Sequence, residues 1–444
     1  MSAPADPSQP RPTDGGPAHP EPHASPRPSP GAAFPAGAPG AERTLLLTVT
    51  GKDRPGVTTS MLSVLARAGV DVLDVEQIVL RGRLVLGLLV TAPEAPADVD
   101  RLRDDVTRAA TEVGMQVEVE QGTGDNHSRG AGRVHVSVIG APLRAEALGE
   151  ITGRIADAGA NIDRIERMAR YPVTAIDLHV SGADPERLRL SLAAEAARQG
   201  VDVAVQPANL LRRSMRLIVM DVDSTLIQGE VIEMLAAHAG CEDEVAAVTE
   251  AAMRGEIDFE ESLRQRVARL AGVEATALDE VYAGIRLAPG ARTMVRTLKR
   301  LGYRFAIVSG GFSQITDRLA ADLGIDFARA NELEIVDGRL TGRIVGPVVD
   351  RAGKATALRQ FAAEVGIPVE SVIAVGDGAN DLDMLGAAGL GIAFNAKPAV
   401  REAAEVAVNV PYLDTIIYLL GISREDVEAA DAAAGLVTPA PVAG

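Results

Sequence analysis

Two aspartates, Asp221 and Asp223, stand two residues apart at the end of the apolar run 217–220. Aspartate is common where strands end, so the pair can be explained as two solvated turn residues. The alternative explanation is chemical, because closely spaced carboxylates can share a divalent metal ion and one of them can act as a nucleophile. The pair alone does not decide between these explanations.

Two further apolar runs also end in polar clusters. The run 305–308 leads into Ser309 and two glycines, and the run 372–375 leads into a loop that contains Asp377. After residue 209, long apolar runs alternate with helical patterns, which predicts a parallel, doubly wound α/β sheet. In such a sheet the carboxyl ends of neighbouring strands line one crevice, so three polar strand ends favour the chemical explanation.

The predicted crevice contains groups for a metal ion and for a phosphate. Carboxylate oxygens suit a hard cation such as Mg²⁺. The predicted metal ligands are Asp221, Asp223 and Asp377. Ser309 and the backbone N–H groups of Gly310 and Gly311 can hold a phosphate, because glycine lets the main chain approach closely. Lys354 stands at a predicted helix start, where its ammonium would neutralise both the phosphate and the carboxylates.

The chain thus contains four motifs in order: the Asp221–Asp223 pair, Ser309 with its two glycines, Lys354, and the loop around Asp377. They resemble the motifs of the haloacid dehalogenase (HAD) phosphatase superfamily, over about residues 214–420. We assign residues 214–425 to this predicted domain. The resemblance implies that Asp221 is the nucleophile and becomes an aspartyl-phosphate. It also implies that Asp223 is the general acid and base and that Lys354 is a catalytic residue.

Residues 228–288, between the first two strands of that domain, have the apolar spacing of helices and predict a helical cap. This insert resembles the cap of the phosphoserine phosphatase family. The resemblance implies that Glu230 pairs with the α-ammonium of phosphoserine and that Arg266 binds its α-carboxylate through two hydrogen bonds. It also implies a substrate contact from Asn380, near the phosphate. The sequence leaves three other arginines open for the carboxylate, namely Arg254, Arg264 and Arg269.

Residues 43–121 and 133–208 repeat one βαββαβ order, with a glycine turn after the first strand of each copy. This order and the turn 51–56 resemble the ACT domain family of amino-acid-sensing modules. The resemblance implies a regulatory ligand near Asp53 and Gly56, for which we expect serine. The second copy has a different turn sequence, so its ligand binding stays open. The alternative is a pair of purely structural, ferredoxin-like modules that mediate dimerisation.

Composition excludes several classes of protein. A chain of 444 residues predicts about three domains, and a net charge of −17 argues against nucleic-acid binding, which needs clustered Lys and Arg. The single cysteine, Cys241, excludes an intrachain disulfide and is typical of a reducing cytoplasm. No apolar stretch reaches the ~18 residues of a membrane span, and we find no signal-peptide pattern. Residues 1–41 are predicted to be disordered and residues 426–444 to be a flexible tail.

Together these features predict a cytoplasmic, Mg²⁺-dependent phosphoserine phosphatase that performs the last step of serine synthesis. We expect a homodimer with no nucleic-acid or membrane partner. Two enzymatic alternatives are phosphoryl transfer from phosphoserine to another hydroxyl and dephosphorylation of phosphoserine in proteins. The alternative outside enzymes is an amino-acid sensor with a silent phosphatase domain, against which the intact Asp221, Asp223, Lys354 and Asp377 argue.

Overall fold

The computed structural model describes residues 43–123 and 132–439. The segment 1–41, predicted to be disordered, lies outside the described residues. The chain forms two compact units that divide near residue 128. Two βαββαβ sheets and one largely parallel α/β sheet are present, so the predicted fold class is confirmed.

The first unit is a βαββαβ domain. Its elements are β1 (Arg43–Lys52), α1 (Val57–Ala68), β2 (Val72–Leu80), β3 (Arg83–Thr91), α2 (Pro96–Glu112) and β4 (Met115–Thr123). The sheet is antiparallel, with the order β2-β3-β1-β4. Alternate residues of β1 (Leu45, Leu47 and Val49) are buried in one cluster with Met61 and Val99 of the two helices. The helices therefore cover one face of the sheet.

The second unit begins with another domain of the same order. Its elements are β5 (Val134–Gly140), α3 (Ala145–Asp157), β6 (Asn161–Ala169), β7 (Thr174–Ser181), α4 (Pro185–Gln199) and β8 (Asp202–Pro207). The strand order β6-β7-β5-β8 reproduces that of the first domain position by position. Val136, Ile151 and Leu192 belong to the buried cluster between this sheet and its helices. The internal repeat in the sequence therefore corresponds to two copies of one fold.

The sheet face opposite α3 and α4 has a buried polar network around Asp177. This carboxylate accepts a hydrogen bond from Ser137 at 2.9 Å and contacts His135 Nδ1 at 2.9 Å and Arg212 Nη1 at 3.3 Å. Burial raises the pKa of Asp177, but His135 and Arg212 outweigh burial and hold that pKa below its usual value. Because the guanidinium already balances the carboxylate, we assign this network a structural role.

The rest of the second unit is the α/β domain. Its first half contains α5 (Leu211–Ser214), β9 (Leu217–Met220), α6 (Val231–Ala239), α7 (Glu242–Met253), α8 (Phe259–Ala268), α9 (Ala277–Gly284), α10 (Ala291–Arg300), β10 (Arg304–Phe312) and α11 (Ser313–Leu323). Helices α6 to α9 lie in the segment predicted to be a helical cap. The second half contains β11 (Phe327–Val336), β12 (Arg339–Val345), α12 (Arg351–Val365), β13 (Val372–Gly376), α13 (Leu382–Ala387), β14 (Leu390–Phe394), α14 (Pro398–Ala403), β15 (Val406–Val408), α15 (Ile416–Leu419) and α16 (Arg424–Ala433).

The seven strands have the order β12-β11-β10-β9-β13-β14-β15. All neighbours are parallel except β11 and β12, which are antiparallel. Strand β9 is bonded to β10 on one side and to β13 on the other. Its residues Leu217 to Met220 are fully buried, because helices cover both faces of the sheet. The three polar clusters predicted from the sequence therefore follow three adjacent strands.

The second βαββαβ domain packs directly against the α/β domain. Both carboxylate oxygens of Asp202 accept hydrogen bonds from Asn409, and one of them also accepts from Val410 N–H. Gln206 and Arg212 both donate to the carbonyl of Leu419, at 3.1 and 3.0 Å. Ile139, Ala175 and Ala204 belong to the same buried cluster as the α/β core. The two domains therefore share one core and form one structural unit.

The C-terminal segment corrects one prediction. Residues 426–433 are not a flexible tail, because they belong to α16 (Arg424–Ala433), whose Val427 is buried in the core of the domain. Ser423 and Asp426 form a capping box at its start. Near its end the buried Asp431 accepts hydrogen bonds from Arg296, Arg300 and Thr438. Residues 440–444 lie outside the described part of the chain.

Among the described helices, none has the length and apolar character needed to cross a membrane.

Candidate active site

The loop after β9 brings Asp221 and Asp223 to the carboxyl end of the sheet. Asp221 N–H donates to the carbonyl of Val375 on the neighbouring strand at 2.9 Å, which fixes the point where the chain leaves the sheet. The chain then turns sharply, with Ser224 in the left-handed region at φ 57°. Ser224 N–H donates to Gly229 O at 3.0 Å and closes the turn. Asp221 is buried, so a solvated turn does not describe it.

A buried ammonium lies between two carboxylates in this crevice. Lys354 Nζ is 2.7 Å from Asp221 Oδ1 and 2.7 Å from Asp381 Oδ1. Asp381 also accepts from Gly378 N–H at 2.9 Å, so both of its oxygens have a donor. Thr225 donates to Asp377 Oδ1 at 3.0 Å and orients the third carboxylate. Lys354 is only 1% exposed and reaches these groups from the first turn of α12.

The side chain of Asp223 is directed to different partners. Its Oδ1 accepts from Val231 N–H at 2.9 Å, and its Oδ2 accepts from Ser309 Oγ at 2.8 Å. The oxygens of Asp221, Asp377 and Asp381 lie within 4.8 Å of one another, without Asp223. Asp381 therefore adds a carboxylate beside Asp221 and Asp377, and the assignment of Asp223 as a metal ligand stays a prediction.

Burial and repulsion from neighbouring carboxylates make Asp221 and Asp377 hard to ionise. Burial, followed by the charge of Asp381, raises the pKa of Asp221 well above its usual value. The same two causes raise the pKa of Asp377 to about 6. The pKa of Lys354 is also raised, because Asp221 and Asp381 outweigh the effect of its burial. Lys354 is therefore charged at neutral pH and offsets part of the negative charge of this group.

The remaining negative charge makes this group an acidic metal-ion site. Asp221 Oδ1 is buried, and its close partner among the described residues is the Lys354 ammonium, which Asp381 shares. A divalent cation would add to the compensation of these buried carboxylates. Asp221 and Asp377 fit this role best, because both oxygens of Asp381 are already engaged.

A cavity of about 480 Å³ connects this acidic group to the cap. The predicted site residues that line it are Asp221, Asp223, Glu230, Arg266, Gly310, Lys354, Asp377 and Asn380. Phe259 and Leu263 of α8 add an apolar wall. Ser309 is fully buried, and it contacts the site through Asp223 and not through the cavity surface. The structure therefore brings the predicted residues of five separate segments into one site.

Arg266 differs from the three other arginines that the sequence leaves open. Arg254 is exposed and pairs with Glu256, Arg264 is exposed and pairs with Glu260, and Arg269 is exposed. Arg266 is 9% exposed and donates only a 3.4 Å hydrogen bond to the carbonyl of Ser262. No carboxylate of the described residues lies within ion-pair distance of it. A buried guanidinium without a carboxylate is a strong indication of an anionic ligand.

Glu230 is the negative counterpart at the same cavity. Burial, followed by the charge of Asp223, raises the pKa of Glu230, and the charge of Arg266 only partly opposes these effects. Burial likewise lowers the pKa of Arg266. The cavity thus presents one uncompensated carboxylate and one uncompensated guanidinium, which is the pattern expected around a zwitterion.

Comparisons with known proteins agree with this geometry. Residues 218–386 match the haloacid dehalogenase-like hydrolase family, and residues 43–120 and 134–206 match ACT domains. A phosphoserine phosphatase of Streptomyces coelicolor is 62% identical over 388 residues, which is 87% of this chain and 94% of that protein. One from Mycobacterium tuberculosis is 55% identical over 88% of this chain and 96% of its own length. The chain belongs to the phosphoserine phosphatase family.

A solved structure supports the family assignment at the level of the fold. A probable phosphoserine phosphatase from Vibrio cholerae matches with a TM-score of 0.53 and 34% identity. The match covers 65% of this chain and 86% of that one. The family matches therefore confirm the architecture predicted from the sequence, two ACT domains followed by a phosphatase domain.

Two contributors to the site were missed at the sequence level. Asp381 stands in the same loop as Asp377, four residues later, and contacts Lys354 and the Gly378 N–H. Thr225 follows Asp223 by two residues, and its hydroxyl crosses to Asp377. Both residues lie in loops that the sequence motifs identify. Their polar side chains, so close to the predicted site residues, could have indicated that they belong to the site.

The predicted regulatory turn of the first ACT domain lies on its surface. Gly56 has a φ of 96° directly before α1, so a side chain there would be strained. Asp53 N–H donates to Gly82 O at 2.8 Å, and both Asp53 and Gly56 are exposed. A ligand at this turn would thus meet exposed groups.

Replacing Lys354 tests the charge balance of the site. We expect Lys354→Met to lower the free energy of unfolding of the α/β domain by about 3–5 kcal/mol at pH 7.5, because Asp221 and Asp381 lose the buried cation that contacts both of them. The loss should shrink as the pH falls through about 6, the pKa of Asp377, because protonated carboxylates no longer repel one another. Urea unfolding in the presence of a chelator measures both effects.

The matched control is Lys397→Met, which removes an exposed lysine from the wall of the same cavity. It should change the free energy of unfolding by less than about 0.5 kcal/mol. If Lys354→Met is as stable as the wild type at pH 7.5, Lys354 does not hold the carboxylates together.

Proposed function

We propose that the protein hydrolyses O-phospho-L-serine to L-serine and phosphate, the final step of serine biosynthesis. One observation carries the proposal: a single cavity joins the buried Asp221–Lys354 group to an unpaired guanidinium and an unpaired carboxylate. The family membership of the chain supports the same activity. A catalytically silent sensor would have no use for this complete set of charges.

Substrate recognition follows from the two unpaired groups of the cavity. The α-carboxylate of phosphoserine accepts two hydrogen bonds from the planar guanidinium of Arg266. Glu230 binds the α-ammonium of phosphoserine. The positive charge of that ammonium stabilises the ionised form of Glu230. In the free protein, burial and the charge of Asp223 raise the pKa of Glu230, and a bound ammonium would oppose both effects. Asn380 contacts the substrate near its phosphate.

The first half-reaction transfers the phosphoryl group to the protein. A carboxylate oxygen of Asp221 attacks phosphorus, and the bond between phosphorus and the serine oxygen breaks. Asp223 gives a proton to that oxygen, so that serine leaves as a neutral hydroxyl. Lys354 and the backbone N–H of Gly310 offset the charge of the phosphoryl oxygens. The product of this step is an aspartyl-phosphate on Asp221.

The second half-reaction regenerates the carboxylate. Asp223 is now ionised and accepts a proton from a water molecule, whose oxygen attacks phosphorus. The bond between phosphorus and Asp221 breaks, and inorganic phosphate leaves. One residue therefore serves as acid and then as base, which its two fixed hydrogen bonds to Ser309 and Val231 N–H allow without reorientation.

We assign the metal as Mg²⁺, held by Asp221 and Asp377. Hard carboxylate oxygens and a phosphate are the ligands that this ion prefers. When bound, the ion neutralises phosphoryl oxygens in the transition state. Asp381 is not assigned as a metal ligand, because its two oxygens accept hydrogen bonds from Lys354 and from the Gly378 N–H.

We further propose that the protein works in the cytoplasm as a homodimer. A single cysteine and a soluble amino-acid substrate suit a reducing compartment. Strand β2 lies at a sheet edge and exposes Ile78 and Leu80, with 50% and 62% of their surface accessible. Apolar residues on an edge strand favour pairing with a second copy.

We propose serine as the regulatory ligand of the first ACT domain. An end product that stabilises a less active arrangement would limit its own synthesis, through a coupling of ~1–3 kcal/mol. Asp53→Ala should remove serine inhibition beyond simple competition, while Asp98→Ala, an exposed change on α2, should leave it intact. If steady-state inhibition curves with serine are the same for Asp53→Ala and wild type, the turn is not the sensor.

Replacing Arg266 tests the substrate assignment. Arg266→Ala should lower kcat/KM for phosphoserine by a factor that corresponds to ~2–5 kcal/mol, because the substrate carboxylate loses its desolvated partner. Phosphoethanolamine has no α-carboxylate, so its poorer kcat/KM should barely change. Steady-state kinetics on both substrates measure the difference.

Arg264→Ala is the control, because Arg264 stands two residues away on the same helix and is exposed. It should leave both substrates unaffected. An equal loss for phosphoserine and phosphoethanolamine in Arg266→Ala would show that this arginine is structural.

A further inference from the structure

The strand that leads into the phosphate loop departs from its neighbour where the chemistry begins. Val308 of β10 pairs with Arg329 of β11, but the next pair along is Phe312 with Asn331. Four residues of β10 therefore correspond to two residues of β11, and the segment 309–311 bulges out of the ladder. A bulge leaves backbone groups without their ladder partners, so a side chain has to satisfy them.

Asn331 supplies that partner. Its Nδ2 donates to the carbonyl of Gly310 at 2.7 Å, and its Oδ1 accepts from Val349 N–H at 2.7 Å. The side chain is 1% exposed and does not line the cavity. A carbonyl can only accept and a backbone N–H can only donate, so the orientation of the amide is fixed. One buried residue thus bonds the phosphate loop to the segment that precedes the Lys354 helix.

The bond to Gly310 continues through the next peptide group to the acid–base residue. The carbonyl of Gly310 and the N–H of Gly311 belong to the same peptide plane. Gly311 N–H donates to Ser309 Oγ at 2.6 Å, and Ser309 Oγ donates to Asp223 Oδ2 at 2.8 Å. The hydrogen bonds therefore run without a break from Asn331, through a peptide group and a hydroxyl, to Asp223.

The glycines explain why this peptide needs an external clamp. A Cβ on Gly311 would lie 2.9 Å from Asp223 Oδ2 and 2.9 Å from Ser309 Oγ, so only glycine permits this approach. Glycine also lacks the steric restraint that would hold the peptide plane in one orientation. If the plane turns, Gly311 N–H leaves Ser309 and the hydroxyl loses its fixed direction.

We propose that Asn331 is a positioning residue for proton transfer in the reaction, and this inference rests on the proposed function. By holding the 310–311 peptide plane, Asn331 directs the Ser309 hydroxyl onto Asp223 and keeps that carboxylate aligned with the leaving oxygen. Asn331 touches neither the substrate nor the reacting atoms, and it acts through Ser309. A misplacement of about 1 Å in a catalytic group can cost ~10²-fold in rate.

The test compares two substrates in the full-length Asn331→Ala protein with Mg²⁺ present. With phosphoserine, kcat should fall by ~10–100-fold and KM should change little, because the leaving oxygen needs its proton. With p-nitrophenyl phosphate, the burst of nitrophenol should keep its rate within about threefold, because that leaving group departs unprotonated. A purely structural role would lower the melting temperature and leave the ratio of the two rates unchanged.

Two further variants keep the result interpretable. Asn331→Asp has the same shape and can still accept from Val349 N–H, but as an anion it cannot donate to Gly310, so it should show the same loss of phosphoserine turnover. Gln314→Ala is the control, because the Gln314 amide also bridges to the β11 backbone, at Leu333, away from the site. It should leave both rates near those of the wild type.

A double-mutant comparison tests the route through Ser309. In a Ser309→Ala background, adding Asn331→Ala should change kcat by less than about threefold, because the two residues act in one chain. If the two losses multiply, or if Asn331→Ala keeps the wild-type ratio of rates, the inference is overturned. A wild-type chain that does not hydrolyse phosphoserine would instead overturn the proposed function itself.

Discussion

The catalytic crevice depends on one buried interaction, the contact of the Lys354 ammonium with Asp221 and Asp381. Three carboxylates in a buried site repel one another, and burial alone favours their neutral forms. The ammonium favours the ionised form of Asp221, which its proposed roles as nucleophile and metal ligand both require. The strands and loops around it serve to keep these charges a few ångströms apart.

The parallel sheet brings these charged side chains together at one edge. Because β9 is bonded to both β10 and β13, the three loops that follow these strands meet at one edge. The cap segment adds Glu230, directly before α6, and Arg266 of α8, the two charges that we propose to bind the amino-acid part of the substrate. The second ACT domain is part of the same core, so a change in its packing has a direct physical route to the α/β domain through Asp202 and Arg212.

Much of this site could be predicted from the sequence, because a polar cluster after an apolar run is a local signal. The direction of the Asp223 side chain could not. That direction depends on the left-handed turn at Ser224 and on the Val231 N–H, which has no acceptor within α6 and donates to Asp223. Both features arise only in the folded loop. No sequence motif marks Asn331, because its proposed role depends on a bulge in the neighbouring strand β10. The C-terminal helix could have been predicted from its capping box at Ser423 and Asp426 and from the alanines that follow, since alanine strongly favours a helix.

The most direct test of the account is rapid-mixing kinetics with p-nitrophenyl phosphate on Asp221→Asn and Asp223→Asn. An amide is too poor a nucleophile to attack phosphorus, so Asp221→Asn should give neither a burst nor turnover. Asp223→Asn keeps the nucleophile, and an aryl leaving group needs no proton. It should therefore give a burst of nitrophenol followed by turnover slowed by ~10²–10⁴-fold. A normal burst from Asp221→Asn would contradict the central claim that Asp221 carries the phosphoryl group.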